Sequence, residues 1–249
     1  MASNLYRLTQ ATPRNFNFSL FPIMQRTVPV LLIFWNSVYN EVMTLIDGLF
    51  IVVVIIFSAV IHEVMHGVAA DMLGDKTARY AGRLTLNPIS HLDPLGSIIL
   101  PLFFTLSHSP IFFGWAKPVP YNPYNLRPGR FSEAIVAAAG PLSNLAIAIL
   151  CGLVIRASLY IPANEVLFTV VVINIMLCFF NLIPIPPLDG SKILTSILPS
   201  SLAYQYGKLR TAFERNPIIG MIIAVILINI FGSAFGVFVY NVAGVISGT

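Results

Sequence analysis

Long apolar stretches limit most strongly how this chain can fold. Residues 51–61 are almost wholly aliphatic and lie inside a longer apolar stretch at 43–73. A helix needs roughly 20 mostly apolar residues to cross a bilayer, so this stretch is predicted to be a membrane-spanning helix. Further stretches of this kind lie at 131–160, 165–182 and 218–245. The sequence therefore predicts an all-α polytopic membrane protein with about four to six transmembrane helices.

The composition agrees with a membrane environment. Of the 249 residues, 57% are hydrophobic and only 10% are charged. A soluble domain carries about 25% charged residues, so this chain cannot cover an ordinary water-facing surface. Its Lys and Arg residues are scattered and not interleaved with aromatics, which argues against nucleic acid as a partner. Cys151 and Cys178 lie in apolar stretches and form no C-x-x-C pair, so we expect them to be small core residues.

The chain divides into a short N-terminal arm and one larger unit. Residues 1–42 are weakly patterned and fit a surface arm, an interfacial helix or an extra span, whereas residues 43–249 are expected to form a single transmembrane domain. Between the first two spans, residues 80–86 favour a short strand, which would form a membrane-associated β-hairpin. Residues 97–106 are apolar but too short to cross, which favours a re-entrant segment. A Gly-Pro pair at 140–141 is expected to interrupt the second span near its start.

The basic residues predict the orientation of the spans. Six Lys and Arg residues lie between the first and second spans and four between the third and fourth, whereas the turn at 162–164 has none. The positive-inside rule places both basic segments in the cytoplasm. Three arginines of the arm then fall outside, against the rule: Arg7, Arg14 and Arg26. We expect an integral, multi-pass protein, located in the cell membrane if the source is bacterial or archaeal.

A polar motif lies within the first apolar stretch. The sequence His62-Glu63-Val64-Met65-His66 matches H-E-x-x-H, and helical positions four apart share a face. Two imidazoles on one face bind one zinc ion, and the intervening glutamate is placed to take a proton from a metal-bound water. Ionisable residues in a spanning helix are costly and usually functional, so satisfied core residues are the weaker explanation. The motif therefore predicts one Zn2+ per chain.

A hydrolytic zinc site typically has three protein ligands and one open position, so a third ligand must come from elsewhere. Asp189 directly follows the third span, and the prolines before it free backbone groups and leave room for a cavity. A turn aspartate before a glycine is its ordinary explanation. The alternatives lie between the first two spans: His91, Asp93 and His108. The residues alone favour Asp189 and leave those alternatives open.

Two further blocks accompany this motif, Gly140-Pro-Leu-Ser-Asn144 and Asn181-Leu-Ile-Pro-Ile-Pro-Pro-Leu-Asp-Gly190. Together with H-E-x-x-H, their order and spacing resemble the site-2 protease family of intramembrane zinc metalloproteases, over about residues 45 to 215. The stretches 83–96 and 114–120 are similar to its compact branch. We therefore expect no PDZ or CBS domain in this chain.

The resemblance implies hydrolysis of peptide bonds within or beside membrane helices, with transmembrane proteins as substrates and the lipid bilayer as the surroundings. It implies His62, His66 and Asp189 as zinc ligands and Glu63 as the general base. Asn144 is implied near the zinc, holding the scissile carbonyl or its oxyanion, although a hydrogen bond between helices explains it equally well. The implied substrate-holding turn consists of Asn181, Pro184 and Pro186. His91 and Asp93 match a loop of the family, for which we expect a structural role.

Two other classes of protein fit part of the pattern. A zinc transporter or other zinc-binding membrane protein would place polar residues along several spans, whereas here they cluster at one depth. A membrane-anchored protease acting in water would need a sizeable polar domain, which these residues lack. His62 and His66 lie about two to three turns before the predicted end of the first span, near Leu73, so the site is expected near the cytoplasmic side.

Overall fold

The computed structural model describes residues 45–99, 103, 116–157, 164–215 and 217–249. These residues contain seven α-helices and no strand. The helices are α1 (Leu45–Met72), α2 (Thr77–Tyr80), α3 (Ser132–Ala157), α4 (Asn164–Asn181), α5 (Asp189–Ile197), α6 (Ser200–Arg215) and α7 (Pro217–Ser247). Short 3₁₀ turns lie at Pro88–His91 and Pro123–Asn125, and a π-helical turn at Pro94–Ile99.

Four stretches within these helices are long and apolar enough to cross a membrane: Phe50–Met72, Ser132–Ala157, Asn164–Asn181 and Ile230–Ser247. They fall in α1, α3, α4 and α7, at the four positions that the hydropathy pattern predicts. The all-helical, membrane-embedded fold class is thereby confirmed.

Helix α3 occupies the centre of the bundle and packs against α1, α4, α5 and α7. Close packing near its C-terminal end depends on Gly152, where a β-carbon would overlap Ile246 of α7. Near its start, Glu133 accepts a hydrogen bond from Arg210 of α6 at 2.7 Å. Because α3 contacts every other spanning helix, its residues can connect α1 to α4 across the bundle.

Two local expectations are wrong. Residues 80–86 form no strand: Tyr80 ends α2, and residues 83–87 have no regular structure. The reason lies upstream, because the Asp75 carboxylate accepts from both the backbone N–H and the hydroxyl of Thr77 and starts a helical turn there. The Gly-Pro pair does not interrupt the second span, since Pro141 lies inside the continuous helix α3.

Several expectations fall largely outside the described residues. These are the N-terminal arm at 1–42, most of the re-entrant segment at 97–106, and His108. Of the re-entrant segment the structure describes residues 97–99, which end the π-helical turn, and Phe103.

An irregular segment, residues 116–126, runs back along the C-terminal half of α1, and we call it the strap. Its Asn122 donates its backbone N–H to the Asp75 carboxylate at 2.6 Å. Just beyond the strap, Arg127 donates its N–H to the carbonyl of Leu73 at 2.8 Å. These contacts hold the strap against the end of α1.

The chain turns sharply between α4 and α5. A β-carbon at Gly190 would overlap the carbonyl of Leu182, so this approach requires glycine. At the other end of α5, the Arg130 guanidinium donates to the carbonyls of Ser196, Ile197 and Leu198. Helix α5 is thus fixed at both ends, which places its first residue, Asp189, against α1 and α3.

Candidate active site

Three side chains converge at the inner face of α1. His62 and His66 lie one helical turn apart, and Asp189 reaches them from the first turn of α5. The Asp189 Oδ2 atom lies 3.1 Å from Nε2 of each histidine, and the two Nε2 atoms are themselves 3.1 Å apart. All three residues are buried. The structure therefore brings together the three residues expected to hold zinc.

The Nδ1 atom of each imidazole faces a carbonyl oxygen. Nδ1 of His62 lies 2.6 Å from Oδ1 of Asn144, and Nδ1 of His66 lies 2.7 Å from the backbone carbonyl of Val136. A carbonyl can only accept, so each Nδ1 carries the proton and donates it. Each Nε2 is then left with a lone pair pointing at the other ligands.

This arrangement fits a zinc ion. Two imidazole lone pairs and a carboxylate oxygen face one another, and only a cation or added protons can relieve their repulsion. Zinc–ligand distances of about 2.0–2.2 Å in a tetrahedron place the ligand atoms roughly 3.3 Å apart, close to the spacing seen here. Gly140 of α3 keeps the space open, since a β-carbon there would come within 2.5 Å of His66 Nε2.

Asp189 also has a charged neighbour. Burial acts to raise the pKa of its carboxyl group, whereas the positive charge of Lys192 acts to lower that pKa. The Lys192 Nζ atom lies 3.4 Å from Oδ1, the oxygen that does not face the histidines. No sequence motif marks Lys192, although its position three residues after Asp189 places it on the same face of α5.

Glu63 is separate from this group of ligand atoms. Its Oε2 accepts a hydrogen bond from the backbone N–H of Val119 in the strap, at 3.0 Å. Glu63 thus follows His62 directly in sequence, but its carboxylate is held by a different element. This placement is compatible with a general base and not with a fourth ligand.

Asn144 lies fully buried between α1 and α4. Its Oδ1 accepts from His62, and its Nδ2 donates to Oδ1 of Asn174 at 2.9 Å and to the carbonyl of Ser58 at 3.3 Å. Both ends of the amide are therefore engaged within the protein. The contact with a substrate carbonyl stays a prediction, and the hydrogen bond between helices is present. Asn174 lies outside the three sequence motifs, so the sequence alone predicts no role for it.

The proposed substrate-holding residues lie at the turn between α4 and α5. Asn181 donates Nδ2 to the carbonyl of Leu177 at 2.9 Å, within its own helix. Pro184 is exposed and its carbonyl accepts from the Tyr206 hydroxyl at 2.9 Å, whereas Pro186 is buried. Their role in binding substrate stays a prediction.

The alternative third ligands that the structure describes lie away from the three converging residues. His91 is buried, and its Nε2 donates to the carbonyl of Thr85 at 2.9 Å. Asp93 accepts from the backbone N–H of Gly96 at 2.7 Å. Both contacts are local and support the structural role expected for these residues.

Comparison with known proteins identifies the family of the chain. Residues 156–227 match the family described as Peptidase family M50. The chain is 35% identical over 160 residues to a Bacillus subtilis (strain 168) protein named "Putative zinc metalloprotease YwhC", covering 60% of this chain and 69% of that one. No solved structure matches significantly.

More distant relatives carry the same kind of name. "Putative zinc metalloprotease Rip2" of Mycolicibacterium smegmatis (strain ATCC 700084 / mc(2)155) is 31% identical over 149 residues, covering 57% of this chain and 56% of that one. Rip2 of Mycobacterium tuberculosis (strain ATCC 35801 / TMC 107 / Erdman) is 32% identical over 153 residues, covering 59% and 57%. The chain thus spans just over half the length of the Rip2 proteins.

The chain belongs to Peptidase family M50, the site-2 protease family that its motifs resemble. It is a membrane-embedded zinc metallopeptidase that acts on proteins, and zinc is its cofactor. The expectation of an intramembrane zinc protease is confirmed, and the alternative of a zinc transporter is not favoured.

Proposed function

We propose that this protease cleaves peptide bonds in or near the transmembrane segments of membrane proteins, with His62, His66 and Asp189 as its zinc ligands and Glu63 as its general base. One observation carries the proposal. Three buried acceptor atoms converge at 3.1 Å, and two of them belong to a helix that is apolar enough to cross a membrane. Buried acceptors at this spacing suit a bound cation, and their position limits the reaction to substrates at the membrane.

The three proposed ligands and the proposed base have different roles in peptide hydrolysis. When bound, zinc supplies a Lewis acid for the attacking water and the peptide carbonyl. His62, His66 and Asp189 leave one coordination position open for the reaction. Glu63 accepts a proton from the water and delivers it to the amine nitrogen of the leaving strand. The Val119 N–H holds one oxygen of Glu63, so the other remains for the proton.

The substrate must present an unwound stretch of backbone, because a helix hides its carbonyls in hydrogen bonds to residues four positions on. The turn formed by Asn181, Pro184 and Pro186 is our candidate for the element that holds it. The turn directly precedes Asp189, and prolines leave nearby carbonyls without helical donors. Asn144 remains a candidate for binding the scissile carbonyl of the substrate only if it gives up one of its present hydrogen bonds.

The site is proposed to open toward the cytoplasm. Basic residues follow α1 at Lys76 and Arg79 and follow α4 at Lys192, and the positive-inside rule places both segments on that side. The ligands from α1 and from the start of α5, which follows α4, meet in one cluster, so the C-terminal ends of α1 and α4 lie on the same side of the bundle. The packing of α3 against each spanning helix supports residues 43–249 as a single domain.

Topology can be tested with single cysteines at Tyr80 and Tyr204, which are 85% and 66% exposed. The background would be Cys151→Ala with Cys178→Ala. A membrane-impermeant thiol reagent should label neither position in intact cells and both after the membrane is opened. Labelling of either position in intact cells would place the site on the other side.

The catalytic assignment is tested by comparing Glu63→Ala with His62→Ala in purified protein. Glu63→Ala should keep zinc and lose cleavage of a membrane-protein substrate, whereas His62→Ala should lose both. Normal cleavage by Glu63→Ala would overturn its role as the base. Full zinc content in His62→Ala would overturn the ligand assignment.

A further inference from the structure

A chain of hydrogen bonds leads from α4 through α3 to the candidate zinc site. Asn174 donates Nδ2 to the backbone carbonyl of Val170 at 2.9 Å. Its Oδ1 accepts from Nδ2 of Asn144 at 2.9 Å, and Oδ1 of Asn144 faces Nδ1 of His62 at 2.6 Å. Both asparagines are fully buried. Hydrogen bonds thus connect two buried polar side chains of spanning helices to the imidazole of His62.

Each hydrogen bond in this series has a fixed donor and a fixed acceptor. The carbonyl of Val170 can only accept, so Asn174 must turn its NH2 group toward it and its oxygen toward Asn144. Asn144 must then offer its NH2 group to Asn174 and its oxygen to His62. Rotating either amide by half a turn would place two acceptors or two donors face to face, without water to separate them. The backbone carbonyl of Val170 therefore orients both amides, and a longer contact with the backbone carbonyl of Ser58 adds to the orientation of Asn144.

We propose that Asn174 is a positioning residue that fixes the tautomer of His62 through Asn144. This inference rests on the proposed role of His62 as a zinc ligand. An oxygen facing Nδ1 keeps the proton there and leaves the Nε2 lone pair for the metal. His66 needs no such relay, because the backbone carbonyl of Val136 accepts from its Nδ1 directly. His62 has only the rotatable amide of Asn144, whose direction must be set from elsewhere.

A purely structural role for Asn174 makes a different prediction. If Asn174 only joined helices, its loss would lower the stability of the bundle and leave zinc affinity unchanged. If it sets the direction of Asn144, its loss should weaken zinc binding in a folded protein. Ser58 also accepts from Nδ2 of Asn144, but at a longer distance of 3.3 Å, so the orientation should be weakened and not abolished.

The experiment measures the zinc dissociation constant of Asn174→Leu by competition with a chromogenic chelator. We expect zinc binding roughly 10- to 100-fold weaker than in the wild type, the usual effect of losing a residue that orients a ligand. Cobalt-substituted protein should show altered visible absorption bands, since the geometry at His62 changes. Asn174→Ala provides a second variant should the leucine variant fail to fold.

A second background tests whether the effect passes through Asn144. Either oxygen of a carboxylate accepts from Nδ1 of His62, so in an Asn144→Asp background the tautomer no longer depends on Asn174. There, adding Asn174→Leu should leave the zinc dissociation constant unchanged.

Thr169→Val is the matched control, because it also removes an α4 side chain bonded to the carbonyl four residues earlier. It should bind zinc as the wild type does.

The outcomes distinguish a failure of the Asn174 relay from a failure of the proposed zinc site. Zinc retained by His62→Ala would overturn the proposed metal site. Zinc lost by His62→Ala but bound normally by both Asn174 variants would overturn the relay alone. Equal weakening by Asn174→Leu in both backgrounds would show that Asn174 does not act through Asn144, which also overturns the relay.

Discussion

The carboxylate of Glu63 is held by the backbone N–H of Val119, at 3.0 Å. The candidate base therefore depends on the strap, which reaches it from 56 residues away in sequence. Val119 is buried against α1 at Gly67, where a β-carbon would come within 2.8 Å of Cγ1 of Val119. The absence of a side chain at position 67 lets the strap lie close enough to bond Glu63.

Gly67→Ala should therefore impair catalysis without removing zinc. The new methyl group would push the Val119 side chain outward and lengthen its hydrogen bond to Glu63. A displacement of the base by about 1 Å can cost on the order of 100-fold in rate, so we expect kcat to fall by roughly 10- to 100-fold. Cleavage assays and zinc analysis on the same samples provide the measurement.

The double variant Gly67→Ala with Val119→Ala provides the control, because it removes one of the two branched side chains that the new methyl group meets, the other being that of Leu84. It should recover part of the lost kcat. A wild-type kcat in Gly67→Ala alone would contradict the proposed dependence of Glu63 on the strap.

Gly140→Ala should lower zinc occupancy. A β-carbon there would lie 2.5 Å from His66 Nε2 and 2.6 Å from His62 Nε2, in the space that the ion needs. Alanine is favoured over glycine within a helix by about 1 kcal/mol, so lost helix propensity cannot explain a defect. Metal analysis should show depleted zinc. Gly207→Ala in α6 is the matched control, since its β-carbon would meet nothing within 4 Å, and it should retain full zinc.

Lys192→Met should weaken zinc binding by roughly 10-fold, because the ammonium holds the Asp189 oxygen that faces away from the histidines. Without it, the carboxylate is free to rotate away from its present position. Lys192→Arg keeps the positive charge and should lie between the methionine variant and the wild type. Zinc competition titrations would show the order. Equal affinity in all three proteins would mean that Lys192 does not position Asp189.

Asp75→Asn should destabilise the protein at neutral pH but not in acid. Burial alone would raise the pKa of Asp75, but hydrogen bonds from Thr77, Asn122 and Asn125 outweigh it and hold the pKa below its usual range. A carboxyl with a lowered folded-state pKa stabilises the fold above its unfolded value, near pH 4, and loses this contribution as pH falls through the folded value. Thermal unfolding in detergent should show a Tm difference at pH 7 that narrows below about pH 4. A difference that stays constant with pH would contradict the prediction.

The sequence predicts those parts of the site that depend on local regularity. The spacing of His62 and His66 fixes their shared face once the segment is helical, and Asp189 is marked by its place at the end of an apolar span. The contacts that orient these residues have no such pattern. The carbonyl of Val136 and the N–H of Val119 are backbone groups, which every residue carries, so only the packed structure identifies them.

The two expectations about local structure that are wrong have a similar cause. Residues 80–86 have the composition of a strand, but the described residues offer no strand for them to pair with. The hydrogen bonds of Asp75 start a helical turn just before these residues, at Thr77–Tyr80. Pro141 has the chemistry of a helix breaker, yet α3 continues through it, because packing on several sides offsets the single lost hydrogen bond.

His62 and Asp189 meet in space but lie 127 residues apart in sequence. The ribosome releases the two histidines with α1, well before α4 and the turn that carries Asp189 have been made. On the proposed ligand set, the growing chain has only two of its three ligands during that interval, so it cannot yet hold zinc in the finished geometry. The proposed site would then form only once α5 has folded back against α1, and no cleavage is expected during the insertion of the chain itself.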